Sequence, residues 1–128
     1  MFSTRILIIA HDGPDLRRAR ERLQAEGYET HVASTAAAGL LFLGRLQPDI
    51  VVLDPLVGRG RPEDWRRGLE RYREGRPLSV VLTTDEPAAR RSLANAADLG
   101  ILPRTFDVEH LWSIVDEFDD DEEFRRAG

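Results

Sequence analysis

The chain of 128 residues contains no cysteine and no lysine, and all 18 of its basic residues are arginine. The absence of thiols excludes disulfide bonds, zinc–thiolate sites and thiol catalysis. The absence of lysine excludes Schiff-base chemistry. No apolar run approaches the ~20 residues that cross a bilayer, and the first residues lack the pattern of a signal peptide. We therefore expect a cytoplasmic protein.

The composition is that of an ordinary globular domain, with 41% hydrophobic and 32% charged residues. The net charge of −5 argues against a nucleic-acid partner, because phosphate contacts need a basic surface. The charges are unevenly spread: residues 59–76 carry seven Arg, whereas residues 116–123 are nearly all acidic. We expect the Arg-rich stretch to be a solvated loop and helix face. A partner-binding patch, or a dock for the acidic tail, is the alternative.

Short apolar runs alternate with segments of helical periodicity along the whole chain. The apolar runs predict strands at residues 5–10, 30–33, 49–54, 78–84 and 100–103. Helices are predicted in five segments. The first carries Leu16, Ala19 and Leu23 and ends at Gly27, the second spans residues 35–46, and the third carries Trp65, Leu69 and Tyr72. The last two span residues 88–98 and 107–118. Such alternation predicts an α/β fold, a flavodoxin-like doubly wound sheet of five parallel strands in the order 2-1-3-4-5 with five helices.

Several local signals refine this arrangement. Asp12 is the expected N-cap of the first helix, with Pro14 in its first turn, and Thr35 (or Ser34) is the expected N-cap of the second. We expect one domain over residues 1–118. Residues 119–128 are predicted to be an acidic, frayed C-terminal tail.

In a doubly wound sheet the functional crevice lies beyond the carboxyl ends of the strands at the switch point. Those ends carry the segment Ala10-His11-Asp12 after the first strand and Asp54 after the third. These four residues are therefore the first candidates for a functional site.

The spacing of ILII, EGYET, QPDIVVLD, VVLTT and LPRTFDVEHL resembles the CheY-like receiver domain of two-component response regulators over residues 4–118. The resemblance implies that Asp54 accepts a phosphoryl group, which Thr84 contacts. It also implies a magnesium ion held by Asp54, by an acidic pair after the first strand and by the carbonyl of Leu56.

The chain departs from the receiver pattern at five positions. The acidic pair falls on Ala10 and His11, the usual lysine falls on Arg104, the proline that follows it falls on Thr105, and the aromatic switch residue falls on Ile101. Magnesium binds carboxylate oxygen and dehydrates reluctantly, so loss of the acidic pair predicts loss of the metal and of most phosphoryl-transfer rate. No cofactor is then expected.

Three alternatives stay open for this pocket. Asp12 could replace the missing ligand, or the loop register could differ by one residue. His11 could favour a transition metal with Asp54. Arg104 could reflect only the lysine-free composition. Asp54 itself is either a phosphoacceptor or a vestigial carboxylate, which a bidentate pair with Arg104 would fix in one state.

In receivers the fourth helix, fifth strand and fifth helix form a common interaction face. Here we assign Leu93, Ile101, His110 and Trp112 to it. The leading hypothesis is a pseudo-receiver: a non-enzymatic protein-interaction module of two-component signalling that lacks magnesium-dependent phosphorylation. The alternative is a working phosphorelay receiver, phosphorylated on Asp54 with magnesium. Candidate partners are a histidine kinase, an output protein or a second copy of the chain.

Overall fold

The computed structural model of the chain describes residues 4–57, 62–74, 78–93 and 97–127. The strands of these residues are β1 (Arg5–Ile9), β2 (Glu29–Ala33), β3 (Ile50–Leu53), β4 (Ser79–Thr83) and β5 (Asp98–Leu102). Their helices are α1 (Pro14–Ala25), α2 (Ala36–Leu46), α3 (Pro62–Arg73), α4 (Pro87–Leu93) and α5 (Val108–Ala127).

The strands form one parallel sheet in the order β2-β1-β3-β4-β5, with Ile6 beside Ile50 and Ile50 beside Ser79 in the ladder. The three central strands are rich in Val, Ile and Leu because helices cover both of their faces. The predicted fold class is confirmed.

Two layers of helices cover the sheet. Helices α1 and α5 pack on one face, where Ile6 and Ile8 point into a core cluster that includes Val115. Helices α2, α3 and α4 pack on the other face, where Leu7 and Ile9 point. Because successive residues of a strand point to opposite faces, each strand supplies both clusters.

Two of the predicted helix boundaries are confirmed and one is wrong. The Thr35 side chain accepts a hydrogen bond from the Ala38 N–H (3.1 Å), as an N-cap does. Gly27, just beyond α1, has a φ of 94°, a conformation that glycine adopts without steric cost. The N-cap of α1, however, is Gly13 rather than Asp12, because Pro14 takes the first helical position and its missing N–H needs no cap.

The boundary between α4 and β5 also differs from the prediction. Helix α4 ends at Leu93 in the described residues, and Asp98, which was expected to be helical, already belongs to β5. Pairing explains the difference, since the Asp98 N–H donates to the Leu78 carbonyl (3.1 Å) at the start of the ladder with β4. Residues 94–96 of the predicted helix lie outside the described residues.

Helix α5 runs past residue 118, so residues 119–127 continue the helix in which a frayed tail was expected. The Tyr28 hydroxyl donates to Asp116 (3.4 Å), and the Thr4 hydroxyl donates to Asp119. These contacts hold the acidic part of α5 against the amino-terminal edge of the sheet. Burial, with the nearby carboxylates, raises the pKa of Tyr28 and keeps its donor proton in place.

In the described part of the chain, no helix combines the length and the apolar character that a membrane crossing requires.

Candidate functional site

A cavity of about 390 Å³ opens at the carboxyl ends of β1 and β3. Three segments form its walls: the β1–α1 loop, the end of β3, and the β5–α5 loop. The cavity brings together the sequence-predicted residues Ala10, His11, Asp12, Asp54 and Arg104. The crevice expected from the strand order therefore exists, at the expected place.

Asp54 is the buried acidic side chain of this cavity, with 8% of its surface exposed. It follows β3 directly, and its N–H donates to the Ile9 carbonyl (2.9 Å), which aligns the ends of β1 and β3. Its Oδ1 atom accepts a hydrogen bond from the Leu56 N–H (2.9 Å). One carboxylate oxygen is thus satisfied by the main chain of its own loop, and Leu56 contributes its N–H to the site.

Arg104 faces the other oxygen of Asp54, but loosely. Its Nε lies 4.0 Å from Asp54 Oδ2, and about half of its side chain is exposed. A bidentate pair would need two N–H···O bonds near 2.8 Å. The expected bidentate clamp is therefore absent in this geometry, and the pair is a long-range electrostatic contact.

The β1–α1 loop supplies little that could bind a cation. Ala10 is half-buried and ends in a methyl group, and His11 is exposed. The Asp12 carboxylate lies 3.9 Å from Arg17 Nε and is mostly exposed. Asp12 is thus engaged at the surface with Arg17.

The residues present do not fit the magnesium ion that the receiver resemblance implies. Among the described residues, no three His, Asp or Glu side chains come together in a group that could hold a metal ion. Three carboxylates of the described residues line the cavity, those of Asp12, Asp15 and Asp54, and of these only Asp54 is buried. The permanent charge of Arg104 near Asp54 Oδ2 opposes a second cation there. The donor set also gives no support to a transition metal on His11.

The two threonines at the end of β4 differ in their roles. Thr84, the predicted phosphoryl contact, is buried, and its hydroxyl oxygen accepts from the Glu86 N–H (3.1 Å). Thr83 lines the cavity instead, and its hydroxyl donates to the Leu53 carbonyl (3.3 Å). Each hydroxyl therefore has a local main-chain partner.

One contributor to the site was missed by sequence reasoning. Asp85 Oδ1 accepts a hydrogen bond from the Arg104 N–H (3.2 Å), which ties the β4–α4 loop to the β5–α5 loop. The Thr84 N–H, donating to the Leu102 carbonyl (2.9 Å), reinforces this connection. The run Thr-Thr-Asp at the end of a strand is the signal that could have found it, because Asp accepts main-chain hydrogen bonds in turns.

The predicted interaction face needs correction. Leu93 is fully buried in the core cluster under α2, α3 and α4, so it offers no surface. Trp112 packs on the α1 side of α5, with the Arg22 guanidinium 5.1 Å from its ring centroid, and therefore does not face α4. Ile101 is half-buried against the α2–α4 side, and His110 is exposed.

Solved structures with the same fold come from several microorganisms. The signal receiver domain of a putative LuxO repressor protein from Vibrio parahaemolyticus superposes with a TM-score of 0.81 at 13% identity, covering 98% of this chain and 97% of that one. The CheY-like receiver domain protein from Methanospirillum hungatei gives 0.75 at 23% identity, covering 95% and 98%.

The chemotaxis response regulator CheY4 of Vibrio cholerae gives a TM-score of 0.75 at 15% identity, covering 91% of this chain and 99% of that one. No protein-family model matches the chain, and no curated protein is significantly similar to it. The chain has the fold of response-regulator receiver domains, over nearly its whole length.

Proposed function

We propose that this chain is a receiver-type signalling module that binds a protein partner without magnesium-dependent phosphorylation of Asp54. It acts in the cytoplasm, is not an enzyme, and its partner is a histidine kinase or an output protein of two-component signalling. The observation that carries the proposal is a pocket with one buried carboxylate, opposite Arg104 and without an acidic pair.

The charge balance of the cavity explains why such a pocket needs no metal. In the receiver pattern, several carboxylates repel one another until a cation neutralises them. Here Ala10 removes one of these carboxylates, His11 replaces the other, and Arg104 opposes the charge of Asp54. Phosphoryl transfer needs cations to neutralise the equatorial oxygens, and a single half-exposed guanidinium is a weak substitute.

Intact-protein mass spectrometry after incubation with a small phosphodonor, with and without magnesium, tests the proposal. We expect no phosphate adduct on the wild type in either condition. The Asp54→Asn variant is the control, because it keeps the size of the side chain and removes the acceptor. A magnesium-dependent adduct on the wild type alone would overturn the proposal.

Restoring the missing ligands tests the same interpretation in the opposite direction. The double variant Ala10→Asp/His11→Asp is expected to bind magnesium measurably in calorimetry, whereas the wild type is not. The matched control is Asp12→Asn, which alters an exposed carboxylate of the same loop. Absence of binding in the double variant would show that the loop is assigned in the wrong register.

The position of Asp54 favours one alternative, a phosphorelay receiver that is phosphorylated on this residue with magnesium. Asp54 lies at the carboxyl end of β3, and its Oδ2 faces Arg104 at the cavity. Under this alternative Asp54→Asn abolishes signalling, and under the leading proposal it is nearly silent.

A further inference from the structure

A second concave surface lies on the opposite side of the sheet from α5, between α2 and α3. This α2–α3 groove has a volume of about 560 Å³. Leu40, Leu43 and Gly44 line it from α2, and Arg67, Gly68 and Arg71 line it from α3. It shares no lining residue with the Asp54 cavity.

The α2 wall of the groove is unusually apolar for a surface helix. No charged residue occurs between Ala36 and Gly44. Leu40 and Leu41 are nevertheless 40% and 51% exposed, and they are the large hydrophobic side chains that stand out to solvent in the described residues. A helix that is apolar on its outer side is normally covered by another molecule or element.

The α3 wall of the groove supplies two cations. Arg67 and Arg71 lie one turn apart on the same side of α3, and neither side chain forms an ion pair with any described residue. Their neighbour Arg66, by contrast, lies 3.7 Å from Glu70. Asp64 and Glu74 also line the groove. Residues 62–74 carry four Arg and four acidic residues, so the positive charge that the groove offers is local to Arg67 and Arg71.

The complementary charge is found at the far end of α5. Glu117 and Asp120 are exposed, lie three residues apart on one side of the helix, and have no side-chain hydrogen bond or ion pair with the described residues. Three more acidic residues follow directly at positions 121–123. Because α5 packs on the face opposite α2 and α3, Glu117 and Asp120 lie on the other side of the sheet from the groove of their own molecule.

We propose that the α2–α3 groove binds the acidic C-terminal end of α5 from a second copy of this chain. The two arginines, four residues apart, face two carboxylates that are three residues apart on the partner helix, so both pairs span one helical turn. The apolar wall of α2 packs against the partner helix between these ion pairs.

The geometry of this contact predicts more than a dimer. The two surfaces differ, so each association leaves one groove and one α5 end unoccupied. Further copies can therefore add until the chain of contacts closes into a ring. This inference does not depend on the chemistry of Asp54, and a phosphorylation assay would not decide it.

Sedimentation of the full chain tests the proposal. We expect the average mass to rise with protein concentration up to about 1 mM, the range in which even a millimolar dissociation constant is detectable. We also expect added salt to reduce the association, because the contacts are exposed ion pairs. A monomer at every concentration and at low salt would overturn the proposal.

Charge-reversal variants locate the contact. Arg67→Glu/Arg71→Glu is expected to weaken self-association at least tenfold, and so is Glu117→Arg/Asp120→Arg. The control is Arg90→Glu/Arg91→Glu, which makes the same charge change as the first variant on exposed positions of α4 and should leave more association intact.

Mixing the two reversed variants is the decisive measurement. Each is expected to stay monomeric alone, and an equimolar mixture is expected to associate, because each reversed groove then meets a reversed helix end. Recovery in the mixture also shows that both variants are folded. If the mixture behaves as the sum of two monomers while the wild type associates, the contact lies elsewhere and the proposal is wrong.

Two adjacent leucines distinguish a contact in the groove from a contact elsewhere on α2. Leu40 lines the groove, whereas Leu41 is more exposed and does not. Leu40→Ala is expected to weaken association about threefold to tenfold, and Leu41→Ala to change it little. Equal losses in both variants would place the contact on the outer side of α2 rather than in the groove.

Discussion

The two tryptophans of the chain lie on opposite faces of the sheet and show how differently the two faces are closed. Trp65 of α3 is 1% exposed and packs inside the cluster under α2, α3 and α4. Trp112 of α5 is half-buried at the junction with α1, covered by the Arg22 guanidinium. Arg22 also pairs with Glu26 and Glu109, so polar contacts close the outer edge of this face.

The two faces differ in the kind of contact that closes their outer surfaces. The α1/α5 face is closed by polar side chains that bind one another: Arg22 binds Glu109, and Thr4 binds Asp119. The α2–α4 face is dense next to the sheet but leaves Leu40 and Leu41 exposed at its outer surface. Apolar packing therefore stabilises this second face, and the proposed contact with α5 of a second copy would cover its exposed leucines.

The largest expected effect comes from truncating the two tryptophans. Trp65→Ala is expected to lower the free energy of unfolding by about 3–5 kcal/mol, since it opens a large cavity in a closed core. Trp112→Ala is expected to cost only about 1–2 kcal/mol, because part of the ring is already exposed. Urea unfolding of the two variants measures the difference.

Trp65→Phe serves as a control for that pair. The Trp65 Nε1 atom is buried without a hydrogen-bond partner among the described residues. Its replacement therefore removes no hydrogen bond, and the loss should be clearly smaller than for alanine. Equal losses for Trp65→Ala and Trp112→Ala would mean that the two faces are equally dense.

Two glycines of α2 sharpen the same comparison at a smaller scale. A Cβ atom on Gly39 would lie 2.9 Å from Ile9 Cγ2 and 3.1 Å from Trp65 Cη2, whereas nothing lies within 4 Å of one on Gly44. Gly39→Ala is therefore expected to destabilise by about 1–3 kcal/mol through overpacking. Gly44→Ala should stabilise by about 0.5–1 kcal/mol through helix propensity. Thermal unfolding measures both changes in stability. Changes of the same sign in the two variants would contradict the prediction.

The smallest expected effect is a pH dependence at the edge of the sheet. The Arg5 side chain donates to Glu29 of β2 and to the Leu46 carbonyl at the end of α2, and this hydrogen bond from Arg5 lowers the pKa of Glu29 below its ordinary value of 4.5. A carboxylate with a lowered folded-state pKa stabilises the fold above its ordinary pKa, and the contribution disappears as the pH falls through the lower folded value.

The measurement compares wild type and Glu29→Gln from pH 6 down to pH 3. The variant should be slightly less stable near pH 6 and converge with the wild type at the acidic end. The effect is small because both side chains are partly exposed to solvent, which screens the interaction. A difference that grows as the pH falls would contradict the assignment.

The sequence predicted the sheet order and the crevice because buried parallel strands leave an unmistakable signal in runs such as Ile50–Leu53. It could not locate the start of β5, where an Ala-rich segment has helical propensity but Asp98 is recruited into the ladder by β4. It also predicted the gathering of Asp54, Ala10 and Arg104 at one rim. It missed the orientation of Trp112, because a shift of one residue around α5 turns a side chain from the side of α4 to the side of α1.

The main chain and the side chain of Arg104 face different neighbours: its N–H is anchored to Asp85, while its guanidinium lies opposite Asp54. The main-chain hydrogen bond joins the β5–α5 loop to the β4–α4 loop, and it does not depend on which side chain stands at position 104. Replacing Arg104 therefore leaves this connection between the two loops in place and removes only the loose electrostatic contact with Asp54.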